Sequence, residues 1–137
     1  MSNLDIYGKV PPSSIDAEEA LLSSLLTEPE SYFRIQNTVR PEHFYKDDHQ
    51  KIFSSIAEMH RDAKTVDLIT LVKSMKANGN LEEVGGPVKL TNLQRKVSSA
   101  YHIEHYADIV ADDYFRRAAI IAASKIQMKA YESCDVD

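Results

Sequence analysis

The C-terminal part of the chain, from Ser98 to Tyr131, contains neither glycine nor proline. Because these two residues are the usual helix breakers, this stretch predicts a single helix of about 30 residues, capped by Ser98 or Ser99 and about 45 Å long. A compact body of about 100 residues has a diameter of only roughly 35 Å. A helix of this length cannot lie wholly against such a body, so part of it is expected to project.

The apolar surface of this long helix, predicted over residues 98–133, indicates what the projecting part does. One stripe steps by three and four residues and comprises Ile103, Ala107, Val110, Tyr114, Ile121, Met128 and Tyr131. The segment from Ala118 to Ala123 is apolar around its whole circumference. Exposed apolar surface of this kind predicts association with another chain, most simply as a two-fold pair of helices. The predicted contact residues are Val110, Tyr114, Ala118, Ile120, Ile121, Ala122 and Met128.

Residues 14–97 are predicted to form a globular helical body. The breakers that divide this region into about five short helices are Pro29, Pro41, Asn78-Gly79 and Gly85-Gly86-Pro87. No segment alternates apolar and polar residues for long enough to require a strand. The chain is therefore predicted to be all-α, a compact bundle of about five short helices followed by one long projecting helix, with a flexible arm over residues 1–13 and a short tail over residues 134–137.

Polar residues mark where several of these helices begin. Ser14 or Asp16 is expected to cap the first helix, in which Glu18 also favours the helix dipole. The third helix is predicted to run from Asp47 or Asp48 to Asp62, and Thr65 or Asp67 to cap the fourth.

The predicted core follows from apolar residues at helical spacing. Its anchors are Leu21, Leu25, Phe44, Ile52, Phe53, Ile56, Leu68 and Leu71. Tyr45 is expected to join Phe44 as an aromatic anchor, and His49 to pack near Phe53. His43 and His60 are predicted to be surface residues.

The composition is ordinary for a soluble globular protein, with 43% hydrophobic and 27% charged residues. Sixteen basic and twenty-one acidic residues give a net charge of −5, which disfavours tight binding to nucleic acid. Lys73, Lys76, Lys89, Arg95 and Lys96 could still gather into a basic patch after folding. No apolar run is long enough to span a membrane, and the N-terminus has no secretory pattern, so a cytoplasmic protein is predicted.

The motifs of common catalytic sites are missing from the sequence. The only glycines are Gly8, Gly79, Gly85 and Gly86, and none belongs to a phosphate loop that ends in Gly-Lys-Ser or Gly-Lys-Thr. The single cysteine, Cys134, can form neither an internal disulfide nor a multi-cysteine metal site. His102, His105 and Asp108 could hold a metal ion on one helix, and a small metal-dependent hydrolase is therefore one alternative. Solvated side chains are the more common outcome of such spacing.

A series of local motifs runs through the whole chain. These motifs are Pro11-Pro12, Ile15-Asp16-Ala17-Glu18, Pro41-Glu42-His43-Phe44-Tyr45, His49 with Ile52-Phe53, Val66-Asp67-Leu68-Ile69-Thr70-Leu71, Leu81-Glu82-Glu83-Val84-Gly85-Gly86, and Ile103 to Val110 with Arg116-Arg117. In this order and at these spacings, residues 10 to 133 resemble the N-terminal domain of replicative DNA helicases of the DnaB family. The sequence departs from that pattern at Ser23, His43, Lys89 and His102, where the family usually has glycine, aspartate, an aromatic residue and asparagine.

The resemblance implies a role in assembly, with no catalytic, cofactor or metal residues in this chain. It implies a non-catalytic collar that pairs subunits within a hexamer and docks primase and, in some systems, a helicase loader. The long helix would be the first arm of a helical hairpin, and the chain would be a domain cut from a longer protein. ATP and Mg²⁺ are expected only for a separate motor domain. The alternative is a stand-alone helical adaptor that binds a helicase or primase.

Overall fold

The computed structural model describes residues 10–134, and this part of the chain is all-helical, as the sequence predicts. Five short helices precede one long one: α1 Ile15–Thr27, α2 Tyr32–Ile35, α3 Asp47–Arg61, α4 Leu68–Ala77, α5 Gly86–Gln94 and α6 Ile103–Cys134. Two 3₁₀ turns, Pro29–Ser31 and Pro41–His43, flank α2. Both turns begin at a proline, whose fixed φ suits the first position of a helical turn.

Helix α1 is the centre of the bundle and packs against α3, α5 and α6. Leu21, Leu22 and Leu25 are completely buried, so both sides of the helix contribute to the core. Burial of each leucine side chain contributes roughly 1.5 to 3 kcal/mol. Ser23 accepts a hydrogen bond from the Val97 backbone N–H and donates one to the Gln94 carbonyl, at 3.0 Å each. Its hydroxyl therefore joins α1 to the end of α5.

The predicted core anchors occupy two kinds of position. Those that are almost completely buried are Leu21, Leu25, Phe44, Ile52, Phe53, Ile56 and Leu71. Leu68, in the first turn of α4, is only half-buried and packs against the edge of the core. The prediction for Tyr45 is wrong, because this residue is 41% exposed while its neighbour Phe44 fills the interior.

The long helix begins at Ile103, three or four residues later than a cap at Ser98 or Ser99 predicts. The segment before it is held by the side chains of Glu28, which follows α1, and of Arg34 in α2, instead of by helical hydrogen bonds. The Glu28 carboxylate accepts the Ala100 N–H, and the Arg34 guanidinium donates to the carbonyls of Ala100 and Tyr101 and to Glu104. These tertiary bonds satisfy the backbone, which explains why Ser98 and Ser99 do not cap a helix.

A buried polar pair joins α1 to the start of α3. Glu18, only 2% exposed, lies with one carboxylate oxygen 2.8 Å from Nδ1 of His49, which is completely buried. Its other oxygen accepts the backbone N–H of Tyr45 at 2.7 Å. Glu18 thus stabilises the turn that leads into α3, in addition to lying in the first turn of α1, where the sequence predicts a favourable contact with the helix dipole.

Two helix ends adopt the same left-handed geometry with different residues. At the end of α4, Gly79 has φ 76°, and the N–H of Asn80 bonds to the Met75 carbonyl. At the end of α3, Ala63 has φ 57°, and the N–H of Lys64 bonds to the Met59 carbonyl. Left-handed backbone costs alanine about 1 kcal/mol or more and glycine almost nothing.

This difference predicts opposite effects for reciprocal substitutions. Ala63→Gly is expected to raise the free energy of unfolding by about 0.5 to 1 kcal/mol, and Gly79→Ala to lower it by about 1 kcal/mol. A Cβ at Gly79 would meet no atom within 4 Å, so its cost comes from the backbone alone. Urea unfolding followed by circular dichroism measures both changes. A loss of stability in Ala63→Gly would contradict the left-handed geometry at residue 63.

Candidate functional site

The outer end of α6 exposes several large apolar side chains. Every residue from Lys125 to Glu132 is exposed, and three of them are large and apolar: Ile126 is 70% exposed, Met128 53% and Tyr131 68%. The inner turns of the helix are different, because Ile103, Ala107 and Val110 lie in the core. The helix therefore packs along its first half and leaves the body towards its end.

The residues predicted to contact another chain differ in how deeply they are buried along α6. The prediction is wrong for Val110, which is 2% exposed and belongs to the core of its own chain. Tyr114, Ala118, Ile120 and Ile121 are half-buried, while Ala122 and Met128 are exposed. The body reaches further along the helix than its dimensions suggested, so the segment from Ala118 to Ala123 is partly covered.

A groove of about 450 Å³ lies where α6 leaves the body. One wall is the chain from Glu42 to Tyr45, and the other is α6 from Tyr114 to Lys125. Its apolar surface includes Phe44, Ala118 and Ile121, and its polar groups include Glu42, Gln50 and Lys125. This combination of an apolar floor and a few polar groups is typical of binding sites.

Arg117 lies in this groove and is only 7% exposed. Its guanidinium donates to the Pro12 carbonyl at 2.8 Å and to the His43 carbonyl at 2.9 Å. It also lies 5.2 Å from the ring centroid of Tyr45 and 5.9 Å from that of Tyr114, which gives two cation–π contacts. Within residues 10–134, no carboxylate approaches this cation closely enough to form an ion pair.

His43 is buried beside the same groove, and its prediction as a surface residue is wrong. Its ring packs 4.6 Å from the ring of Tyr114, and its Nδ1 accepts the backbone N–H of Arg40 at 3.1 Å. Burial lowers the pKa of His43, the Glu42 carboxylate opposes this effect, and the charges of Arg40 and Arg117 reinforce it. The neutral ring thus supports the turn whose carbonyl holds Arg117.

His60 was also predicted to lie on the surface, and the structure places it differently. It is half-buried at the end of α3, stacked on Tyr32 with ring centroids 4.4 Å apart and planes 5° apart. Burial lowers the pKa of His60. The stack closes one edge of the core beneath the exposed ring of Phe33.

The metal site considered from the sequence is not assembled in the described residues. His102 and His105 contact the rings of neighbouring tyrosines, and no group of three or more His, Cys, Asp or Glu side chains between residues 10 and 134 is placed to hold a metal ion. Of the proposed basic patch, Lys73 lines a shallow pocket with Lys64, whereas Lys96 lies 3.7 Å from Glu19. None of the helices described here is both long and apolar enough to cross a membrane.

Sequence analysis identified the motif that contains Arg117 but missed its role. Arg117 continues the buried stripe of α6, three residues after Tyr114 and four before Ile121. An arginine at a position where the helical spacing calls for an apolar residue is the sequence signal that could have indicated its burial. The identities of its carbonyl partners, on Pro12 and His43, could be found only from the tertiary structure.

Comparisons with known proteins agree in both sequence and fold. A family model described as the DnaB-like helicase N terminal domain matches residues 10–112. The replicative DNA helicase DnaB of Rhodothermus marinus is 36% identical over 110 residues, which are 80% of this chain and 12% of that protein. DnaB of Geobacillus stearothermophilus is 34% identical over 123 residues, 90% of this chain and 27% of its own length. The chain thus spans only a minor part of these relatives.

Two solved structures share the fold. The N-terminal domain of DnaB helicase from Mycobacterium tuberculosis matches with a TM-score of 0.86 and 25% identity, over 89% of this chain and 85% of that one. A structure of a DnaB-like replicative helicase and its interactions with primase matches with a TM-score of 0.73 and 26% identity, over 90% of this chain and 32% of that one.

Proposed function

Since this chain belongs to the family of DnaB-like helicase N-terminal domains, we propose that it acts as the non-catalytic collar of a replicative DNA helicase. In this role it pairs subunits within a hexameric ring and docks primase or a helicase loader. ATP binding and hydrolysis, with Mg²⁺, belong to a motor domain elsewhere in such a protein. We propose that it works in the cytoplasm, where bacterial DNA is replicated, and that its own contacts with DNA are weak.

The observation that carries the pairing role is the exposed outer end of α6. Ile126, Met128 and Tyr131 project from the helix beyond the point where the body covers it. Met128 and Tyr131, three residues apart, share one face of the helix, and exposed apolar side chains that share a face are common in surfaces that another protein covers. A second copy of α6 could cover them in a closed two-fold pair.

The partner-docking role rests on the likeness to known proteins. One structure with the same fold comes from a helicase described together with its interactions with primase. The acidic balance of this chain supports a protein partner over nucleic acid, because a net charge of −5 repels phosphates. Primase encoded in the same genome is therefore the first partner to test, by isothermal titration against the purified chain.

Met128→Asp tests the pairing role. Analytical ultracentrifugation of the wild-type chain should show dimers that increase with concentration, and the variant should remain monomeric, because a buried unpaired carboxylate costs several kcal/mol. Gln36→Asp adds the same charge on the exposed surface of the body and should leave the dimer unchanged. Ile121→Asp is a less clean test, because Ile121 also lines the groove of its own chain. Equal association of the wild type, Met128→Asp and Gln36→Asp would contradict pairing through α6.

A further inference from the structure

We propose that the groove between the Glu42–Tyr45 wall and α6 binds a segment of a partner protein in which a carboxylate side chain lies beside an apolar one, with Arg117 as the carboxylate's anchor. This inference rests on the partner-docking part of the proposed function and adds the chemistry that the docked segment must carry. It concerns a surface distinct from the outer turns of α6 that we assign to pairing.

The first reason is the uncompensated charge of Arg117. Removing a cation from water is costly unless an anion or several acceptors replace its hydration. Two carbonyls and two aromatic rings surround this guanidinium, yet its five N–H donors include only two with an acceptor among residues 10–134. A carboxylate entering from the groove would provide both the missing charge and the missing acceptors.

The second reason is that Arg117 is already held in place. Its bonds to Pro12 and His43 fix the guanidinium between the start of the described chain and the Pro41–His43 turn. A long side chain that is ordered before binding loses less conformational entropy when the ligand arrives. This preorganisation is typical of a recognition residue and differs from the mobile lysines of a solvated surface.

The third reason is the composition of the groove around the cation. Phe44, Ala118 and Ile121 offer an apolar floor, which predicts an apolar side chain next to the carboxylate of the ligand. Lys125 at the outer end is exposed and has no ion-pair partner in the described chain, so it is available as a second cation. Glu42 lies on the opposite wall, so the net charge of Arg117, Lys125 and Glu42 together is +1.

This balance favours a peptide over nucleic acid. A nucleic acid would bring a phosphate at every nucleotide to a groove with two cations and one carboxylate, on a protein with a net charge of −5. It would also place little apolar surface against Phe44 and Ile121. A peptide with a single carboxylate beside a leucine matches both the charge and the floor.

The test uses two capped tripeptides, acetyl-Leu-Glu-Leu-amide and acetyl-Leu-Gln-Leu-amide, titrated into the full chain and followed by NMR. The Glu peptide should bind about tenfold more tightly than the Gln peptide, because a charge-assisted hydrogen bond is roughly twice as strong as a neutral one. Shifts should concentrate at Tyr45, Tyr114 and Arg117. The binding should weaken as salt is added.

Two charge reversals locate the site without disturbing Arg117. Lys125→Glu should weaken the Glu peptide at least about fivefold and leave the Gln peptide almost unchanged, since only the former carries a charge. Lys76→Glu makes the same change on an exposed face of α4 and should affect neither peptide. Both variants must retain the wild-type circular dichroism spectrum.

Several results would overturn the proposal. These are equal affinity for the two peptides, shifts outside the groove, equal effects of the two charge reversals, tighter binding at the groove by a twelve-residue oligothymidylate, and occupation of the groove by a second copy of the chain. The outcomes are separable from those of the proposed function. If primase binds the chain even with Lys125→Glu and neither peptide binds, only the proposal for the groove is rejected. If the Glu peptide binds but primase does not, only primase as the partner is rejected.

Discussion

Glu18→Ala is expected to lower the free energy of unfolding by about 3 to 5 kcal/mol. The substitution removes the acceptor of the Tyr45 N–H and the partner of the His49 Nδ1, and His49 is completely buried. A buried polar group left without a partner costs about 1 to 3 kcal/mol, and breaking a buried pair from one side costs about 3 to 5 kcal/mol. Since a domain of this size has a total stability of about 5 to 15 kcal/mol, urea unfolding should show the loss clearly.

The control for this substitution is Glu58→Ala in α3. Glu58 is an exposed carboxylate, so its removal should change stability by no more than about 0.5 kcal/mol. Glu18→Gln separates charge from hydrogen bonding, because the amide oxygen can still accept the Tyr45 N–H. We expect a smaller loss for Gln than for Ala. A loss below 1 kcal/mol in Glu18→Ala would show that α1 and α3 do not share this pair in solution.

The outline of the fold could be predicted because the helices of the body have strong local signals. Proline or glycine marks the turn before α2, the end of α4 and the start of α5. Asp67 caps α4 by accepting the Thr70 N–H at 2.8 Å while the Thr70 hydroxyl accepts the Asp67 N–H. This reciprocal cap is a property of four successive residues, so tertiary context adds nothing to it. The left-handed end of α4 at Gly79 is likewise determined by the local sequence.

The sequence predicted the buried polar residues poorly because their partners lie far away along the chain. Glu18 was assigned to the helix dipole, but its partners are Tyr45 and His49. Arg117 was noted only as part of a motif, but its guanidinium binds the Pro12 carbonyl, 105 residues away. A charged residue on an apolar stripe indicates burial, whereas the identity of its partner depends on how the helices pack.

The sequence also could not predict which part of α6 is exposed. A length of about 30 residues shows that the helix exceeds the body, but it does not show where along the helix the body ends. The Pro41–His43 turn packs against α6, and the groove beside it extends along the helix past Ile121, which sequence periodicity could not reveal. Ala118 therefore lines the groove, and the surface that we propose for pairing begins nearer to Ile126.

Phe53→Ala is expected to lower the free energy of unfolding by about 3 to 5 kcal/mol and the melting temperature by roughly 10 to 20 °C. Phe53 is 1% exposed, with its ring centroid 5.0 Å from that of Phe44 and 6.3 Å from that of Tyr32. Its truncation leaves a cavity between α3, α2 and the turn before α3, and each of these is held by other core contacts that limit collapse. Thermal unfolding measured by circular dichroism or calorimetry gives the result.

Phe33→Ala is the matched control, because it removes the same atoms from a ring that is 58% exposed. Phe33 contacts Tyr32 and His60 edge-on at the surface, so its loss should cost less than about 1.5 kcal/mol. The difference between the two alanine variants therefore measures burial and not the chemistry of the side chain. If both variants melt at the same temperature, Phe53 does not face the core, and the orientation of α3 against α1 must be different from the one described.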